Sequence, residues 1–186
     1  MSPFIIYALP RSRTAWLSAF LTYGTRRCGH DIVIDLPELK KLRAFFTIPN
    51  VGTVETGMVM GWKLINKFVP NIKTVVIRRP LEDIKASLKK FGLESDAELE
   101  QRNKLLDEVA AQPGVMSFDF HDLNTEEACK SIFEYCLELP FDRKWWKLMR
   151  NKNIQIDLKA QMEKIQENKE AIEALKLQAM KLLEAA

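Results

Sequence analysis

The chain has 186 residues, of which 47% are hydrophobic and 28% are charged. This balance is typical of a single globular domain and excludes a collagen-like or largely disordered chain. The formal net charge is only +3, but residues 1–90 carry 15 Lys and Arg against 6 Asp and Glu. A basic first half indicates an anionic ligand or a nucleic acid as partner.

The sequence lacks the signals of export and membrane insertion. No apolar run approaches the ~18 residues of a membrane-spanning helix, and Arg11 and Arg13 interrupt the apolar start in a way that does not fit a signal peptide. Cys28, Cys129 and Cys136 are widely spaced and do not form the pattern of a disulfide framework. We therefore expect a cytoplasmic protein in a reducing compartment, without a membrane contact.

The first part of the chain predicts strands alternating with helices, because short apolar runs are followed by segments with helical spacing. Pro and Gly residues mark the boundaries between them. The predicted elements are a buried strand at 4–9, a helix at 15–21, a strand or loop at 31–35, a helix at 37–46, a short strand at 50–55 and a buried helix at 58–69.

The same alternation continues to about residue 142. The clearest strand covers residues 73–77, which are rich in β-branched side chains. Strands that alternate with helices predict an α/β fold with a parallel sheet and helices on both faces. The remaining elements are helices at 81–91 and 97–111, a strand at 115–120, and a helix at 126–137 capped by Asn124 or Thr125.

The last segment, residues 155–186, contains no Gly, Pro or aromatic residue. Its apolar residues form a nearly heptad stripe, which predicts one long amphipathic helix and divides the chain into a domain at 1–154 and a tail at 155–186. Such a stripe fits packing on the domain, a coiled coil that would make a homo-oligomer, or a solvated helix. The stripe consists of Ile165, Ile172, Leu175, Ala179 and Leu182.

Two loops carry the side chains expected of an anion site. The first, Arg11-Ser12-Arg13-Thr14, lies between a predicted strand and a predicted helix, where the unpaired N–H groups and the dipole of the helix favour an anion. The second, Arg78-Arg79-Pro80 with Ser87 beyond, repeats the arrangement at the end of another strand. Neither the GxxxxGK[ST] loop of ATP-binding proteins nor the GxGxxG dinucleotide fingerprint is present. The alternative for each loop is a turn whose arginines are simply solvated.

These segments resemble the P-loop sulfotransferase family. Its first motif corresponds to residues 9–17, Leu-Pro-Arg-Ser-Arg-Thr-Ala-Trp-Leu, and its Arg-x-Pro motif to residues 75–80, with Ser87 in the following helix. A third motif is similar to residues 118–123 and 133–141. The resemblance runs in order over residues 4–142 and implies a P-loop NTPase-like, three-layer α/β/α fold with a mostly parallel central sheet.

The resemblance also implies a function: transfer of a sulfuryl group from 3′-phosphoadenosine 5′-phosphosulfate to a hydroxyl or amine acceptor, without a metal. Arg78 and Ser87 would bind the 3′-phosphate. Arg13 stands where the family usually has Gly, Ala15 stands where it has a second Thr, and the family's late Gly-rich loop has no counterpart. The residues that would bind the 5′-phosphosulfate are Arg11, Ser12, Arg13, Thr14, Ala15 and Trp16.

The remaining roles follow from the same resemblance. Arg11 would stabilise the leaving phosphate, and the general base would be Glu55 or His30, with Glu55 preferred because it follows a short strand at the same sheet edge. The acceptor would be a small molecule or a carbohydrate.

The alternatives to a sulfotransferase are an inactive interaction module with this fold and a small-molecule or nucleotide kinase. The pair Trp145-Trp146 among basic residues could stack on nucleic acid, but packing inside the domain is the preferred interpretation.

Overall fold

A computed structural model describes residues 2–91 and 98–184, and it contains one central sheet of five parallel strands within those ranges. The strand order is β2-β3-β1-β4-β5, so that the first strand lies in the middle. The predicted α/β class with a parallel sheet is therefore confirmed. The strands are β1 (Phe4–Ala8), β2 (Arg27–His30), β3 (Val51–Glu55), β4 (Lys73–Arg78) and β5 (Met116–Asp119).

Helices connect the strands and cover both faces of the sheet. Among the described residues, no helix has the length and apolar character needed to cross a membrane. Residue 97 of the helix predicted at 97–111 lies outside the described residues. The helices are α1 (Thr14–Leu21), α2 (Ile32–Asp35), α3 (Leu39–Thr47), α4 (Trp62–Phe68), α5 (Leu81–Lys90), α6 (Glu98–Ala110), α7 (Glu126–Leu137), α8 (Arg143–Met149), α9 (Leu158–Glu167) and α10 (Lys169–Glu184), with 3₁₀ turns at Met58–Gly61 and Phe120–Asn124.

The central strand β1 is buried along its whole length, because helices cover both faces of the sheet. Ile5 and Tyr7 pack into one core with α3, α4, α5 and α6. Phe4 and Ile6, on the opposite face, pack into a second core with α1, α7 and α8. The two cores make the molecule a three-layer α/β/α arrangement.

The chain leaves neighbouring strands in opposite directions, and this creates a crevice. Tyr7 of β1 pairs with Glu55 of β3 on one side and with Val76 of β4 on the other, so the carboxyl ends of these strands lie at one edge. After β1 the chain crosses toward β2, whereas after β4 it crosses toward β5. Such a switch point at the carboxyl ends of parallel strands is where ligands bind in open α/β sheets.

The region around residues 27–35 differs from the prediction. The strand is Arg27–His30, and residues 31–35, predicted as strand or loop, contain the short helix α2. β2 is an edge strand with polar ends, so its sequence lacks the apolar pattern of a buried strand. Asp31 has a positive φ of 49° and turns the chain out of the strand. β2 therefore depends on its pairing with β3, which no local pattern reveals.

The tail forms two helices where the sequence predicts one. Asn168 separates them: its side-chain amide donates a hydrogen bond to the carbonyl oxygen of Ile34 at 3.0 Å, and its own carbonyl accepts from the N–H of Ile172. Leu175 and Ala179 are buried in the domain, with Leu175 in the core on the α4 side of the sheet. The apolar stripe thus packs on its own domain. Residues 185 and 186 of the tail lie outside the described residues.

Candidate functional site

A cleft of about 500 Å³ opens at the switch point of the sheet. Its walls come from the loop after β1, the ends of β2 and β3, the residue after β4, and the tail. Among the described residues that line it, six are cationic and Asp31 alone is acidic, so the cleft is strongly positive. The cationic residues are Arg11, Arg13, Arg79, Arg102, Lys152 and Lys176.

The loop between β1 and α1 has an unusual backbone. Arg11 and Arg13 have φ values of 65° and 59°, in the left-handed region that favours glycine. The two turns bring the chain directly into α1, whose first-turn N–H groups have no acceptor within the helix. Ser12 is fully buried between them, and its hydroxyl has no hydrogen-bond partner among the described residues. The loop therefore offers unused donors beside two guanidinium groups.

Arg11 is held in place by neighbouring side chains. Its Nε donates to the hydroxyl of Ser87 at 3.2 Å, and its guanidinium lies 4.0 Å from the centre of the Phe91 ring. Arg79 donates a hydrogen bond to the carbonyl oxygen of Arg11. Partial burial and the guanidinium of Arg79 lower the pKa of Arg11 below its ordinary value. Two cations held together in this way favour a bound anion, which would relieve their repulsion.

Arg13 ties the same loop to the 3₁₀ turn Phe120–Asn124. Its guanidinium donates to the carbonyl oxygen of Leu123 at 3.1 Å and to Oδ1 of Asn124 at 3.0 Å. It also lies 4.1 Å from the ring of Trp16, a cation–π contact. Burial lowers its pKa below the ordinary arginine value. These contacts fix the left-handed turn at Arg13.

The two arginines at the end of β4 point to different places. Arg78, which the resemblance assigns to the 3′-phosphate, forms an ion pair with Asp107 of α6 and is not among the described residues that line the cleft. Arg79 does line it, and its guanidinium lies 4.3 Å from the Phe120 ring. Alternation along β4 explains the difference, since Val76 faces the α6 core and Arg78 follows two positions later. Arg79 lies beyond the strand and turns toward the cleft.

His30 forms a hydrogen-bonded chain in the cleft wall. Its Nδ1 lies 3.3 Å from Oδ2 of Asp31, and its Nε2 lies 2.9 Å from the hydroxyl of Thr14. Asp31 is 3% exposed and also accepts from the N–H of Thr56 at 2.6 Å and from Gln161 at 3.0 Å. An acidic partner at Nδ1 favours the tautomer with the proton on Nδ1, which leaves Nε2 as an acceptor.

Glu55, the preferred base in the sequence analysis, lies in the core. It is 1% exposed and is not among the described residues that line the cleft. Its Oε1 accepts from the N–H of Ile32 at 2.9 Å and from the hydroxyl of Thr53 at 2.5 Å. Burial and the nearby Asp31 carboxylate raise the pKa of Glu55 well above its ordinary value. Of the two candidate bases, His30 is the one that reaches the cleft.

The structure brings most of the residues predicted for the first loop to one place. Ser12 lies buried beneath that loop, and Ser87 contacts the cleft only through Arg11. Trp146 is buried, and the indole N–H of Trp145 donates a hydrogen bond to the carbonyl oxygen of Phe20 at 2.9 Å. Both indole rings therefore pack inside the domain. The predicted residues that line the cleft are Arg11, Arg13, Thr14, Ala15, Trp16 and His30.

Sequence reasoning named Arg79 in the second loop and Asp31 as the neighbour of His30, but it assigned neither of them a role in the site. It missed Arg102 and the tail residues of the cleft. Arg102 lies on a helix, and nothing in the local sequence shows that this helix borders the loop after β1.

Among the described residues, no group of three His, Cys, Asp or Glu side chains is placed to hold a metal ion. No protein-family model matches the chain, and no curated protein sequence matches it.

Proposed function

We propose that the protein is a sulfotransferase-like enzyme of the P-loop type, which transfers a sulfuryl group from 3′-phosphoadenosine 5′-phosphosulfate to a hydroxyl acceptor. One observation carries the proposal: a cationic cleft at the switch point of the sheet combines the Arg11–Arg13 loop with His30. The motif of the first loop supports it, whereas Arg78 of the Arg-x-Pro segment pairs with Asp107 and lends no support.

Two sets of donors in the cleft support the proposal of a ligand with two phosphate groups. The loop after β1 offers Arg11 and the first N–H groups of α1 for one group. Arg79, whose Nε is buried and has no partner among the described residues, would take part in holding the second. Guanidinium groups bind phosphate oxygens through two hydrogen bonds, and this favours them in such sites.

When bound, the nucleotide would supply the sulfuryl group: its bond to the 5′-phosphate oxygen would break as a bond from sulfur to the acceptor oxygen forms. His30 would take the acceptor proton on Nε2, where the acceptor hydroxyl would replace the Thr14 hydroxyl, while Asp31 holds the imidazole through Nδ1. Arg11 and Arg13 would stabilise the negative charge on the departing phosphate oxygens.

Ligand binding is tested by thermal unfolding with adenosine 3′,5′-bisphosphate, adenosine 5′-monophosphate, and ATP with Mg²⁺. We expect the bisphosphate to stabilise the protein most, by about 2.7 kcal/mol at a concentration of about 100 times its Kd. Arg11→Ala should weaken this binding by tenfold or more, because a charge-assisted hydrogen bond contributes about 1.5–3 kcal/mol. Arg143→Ala, at an exposed arginine outside the cleft, is the matched control.

Catalysis is tested by following sulfuryl transfer in the wild type and in His30→Ala. We expect the variant to retain the bisphosphate and to lose turnover by about 10²–10⁴-fold. Absence of stabilisation by any of the three nucleotides would contradict the proposal and favour an inactive module. Preferential binding and Mg²⁺-dependent turnover of ATP would instead indicate a kinase.

A further inference from the structure

Helix α9 of the tail is attached to the domain by polar side chains. Among the described side chains of α9, Gln161 is the only one that is partly buried, and the others are exposed. Lys164 pairs with Asp35 at 2.6 Å, and the amide of Asn168 donates to the carbonyl oxygen of Ile34 at 3.0 Å. We define the polar seam as Gln161, Lys164 and Asn168, whose spacing of i, i+3 and i+7 puts them on one side of the helix. The polar seam joins α9 to α2, the helix directly after β2.

Gln161 reaches the carboxylate beside the candidate base. Its Nε2 donates to Oδ2 of Asp31 at 3.0 Å, and Nδ1 of His30 lies 3.3 Å from the same oxygen. The other oxygen, Oδ1, accepts from the N–H of Thr56 at 2.6 Å and from its hydroxyl at 3.0 Å. Within the described part of the chain, Gln161 and His30 are the two residues with polar contacts to Oδ2. The tail therefore shares with the imidazole the oxygen that holds the imidazole.

The imidazole of His30 has a partner at each nitrogen, and one of these partners would change during the proposed reaction. Nε2 lies 2.9 Å from the hydroxyl of Thr14. An acceptor hydroxyl that takes this place removes the Thr14 contact, so the orientation of the ring then depends on Oδ2 of Asp31. If Oδ2 moves, Nδ1 loses its acceptor, and the ring is free to turn or to change tautomer. Gln161 supplies the second donor that keeps Oδ2 in place.

A neutral donor suits this position better than a cation. Asp31 is 3% exposed, and an amide N–H satisfies its carboxylate without adding positive charge. An ammonium at the same place would repel the imidazolium that forms when His30 takes a proton. Lys164, the cation of the polar seam, is instead paired with Asp35. The polar seam thus places its neutral donor, Gln161, at the carboxylate beside the candidate base.

We propose that Gln161 is a positioning residue: its amide holds Oδ2 of Asp31 toward Nδ1 of His30 and so keeps the imidazole in the tautomer and orientation that accept a proton on Nε2. This rests on the proposed function, in which His30 is the general base. The tail then has a role in the reaction besides packing, because α9 supplies this donor from 130 residues further along the chain.

The first test is the tautomer of His30 in the full chain, measured by nitrogen NMR of the ring at about pH 8.5, where an ordinary imidazole is neutral. The chain has two histidines, so His121 is an internal reference. Gln161→Met removes the donor but keeps the length of the side chain and its helix propensity. Asn168→Leu is the matched control, because it removes an amide donor of the polar seam whose acceptor is Ile34. Gln161→Ala serves if Gln161→Met does not fold.

The second test is turnover of 3′-phosphoadenosine 5′-phosphosulfate with water as the acceptor, which gives sulfate and adenosine 3′,5′-bisphosphate. We expect Gln161→Met to lower kcat by about tenfold and to leave KM within about twofold of wild type, because Gln161 acts on the base and not on the nucleotide. Asn168→Leu should keep both values. A loss of α9 docking alone would affect the two variants equally.

In the NMR test, we expect the His30 proton on Nδ1 in the wild type and in Asn168→Leu, and a mixture of tautomers in Gln161→Met. An unchanged tautomer in Gln161→Met, equal changes in the two variants, or an unchanged kcat in Gln161→Met would overturn the inference. If the wild type does not bind adenosine 3′,5′-bisphosphate while Gln161→Met changes the tautomer, the proposed function fails and the positioning of His30 by Gln161 stands.

Discussion

At the residue scale, the loop after β1 combines backbone strain with unsatisfied donors. Arg11 and Arg13 both adopt left-handed φ values, which cost an L-residue about 1–2 kcal/mol each relative to glycine. Between them lies the buried hydroxyl of Ser12, without a partner among the described residues. Strain and unpaired polar groups of this kind concentrate at functional sites, where a ligand can use them.

The strain at Arg13 can be measured by comparing Arg13→Gly with Arg13→Ala, since both variants lose the same guanidinium contacts. We expect the free energy of unfolding of the glycine variant to be higher than that of the alanine variant by about 0.5–1 kcal/mol. This difference already includes the opposing effect of glycine, which has greater freedom in the unfolded chain. Urea denaturation measures the difference. At Arg143, the first residue of α8, the alanine variant should instead be more stable than the glycine variant, because glycine is a poor helix former. Equal stability of the two variants at position 13 would show that the turn is not strained.

Glu55 should make the stability of the protein depend on pH. Its pKa is raised well above the ordinary value of 4.5, so the folded state keeps a proton that the unfolded chain releases. The free energy of unfolding should therefore fall as pH rises above about 4.5, by at most about 1.4 kcal/mol per pH unit, until the folded-state pKa is passed. Glu55→Gln, which carries no ionisable proton, should remove this decline.

Urea denaturation of both proteins between pH 4.5 and 8 would measure the difference. Glu82→Gln, at an exposed glutamate on α5, is the control and should keep the slope of the wild type. If the wild type and Glu55→Gln show parallel pH profiles, the carboxyl is ionised in the folded protein and the expectation is wrong.

At the scale of elements, α10 closes the cleft by packing on the domain. Its two faces differ sharply: Leu175 is 5% exposed and lies in the core, whereas Leu177 is 56% exposed. The break at Asn168 lets α9 and α10 follow the surface, because the Asn168 side chain bonds to Ile34 and its carbonyl begins the next helix. The tail is thus part of the site wall as well as part of the fold.

This packing predicts unequal effects of two substitutions on one helix. Leu175→Ala should lower the free energy of unfolding by about 2–3 kcal/mol, because it leaves a cavity in the core. Leu177→Ala should change it by less than about 0.5 kcal/mol, since the side chain already contacts water. Both values come from chemical denaturation. A small effect of Leu175→Ala would mean that α10 does not dock stably on the domain.

At the scale of the whole molecule, the positive charge of the cleft should make the binding of an anionic ligand depend on salt. Six cationic side chains line it, and exposed charges are screened over about 10 Å at 0.1 M salt. Raising NaCl from about 0.05 M to about 0.5 M should weaken the binding of adenosine 3′,5′-bisphosphate by about tenfold or more. Titration calorimetry at both salt concentrations measures this change, and a bisphosphate affinity independent of salt would contradict the electrostatic account.

Local patterns alone determined the α/β class, the buried strands β1 and β4, and the loop after β1. These features follow from apolar runs, β-branched residues and the arrangement of strand, loop and helix, which act over a few residues. The same level of reasoning placed Arg11, Arg13 and Thr14 in one loop at the end of a strand. It did not place His30 beside them, because the strand that ends at His30 was not predicted.

Only the tertiary structure decided which of these side chains share a cleft. Arg78 and Arg79 are neighbours in sequence, yet the alternation of β4 sends Arg78 to α6 and leaves Arg79 beside Arg11. Glu55 and His30 both end strands, but packing buries the first and leaves the second in the cleft wall. The tail reaches Asp31 across 130 residues of sequence. The direction of a side chain depends on what packs against it, and the sequence near that residue does not contain this information.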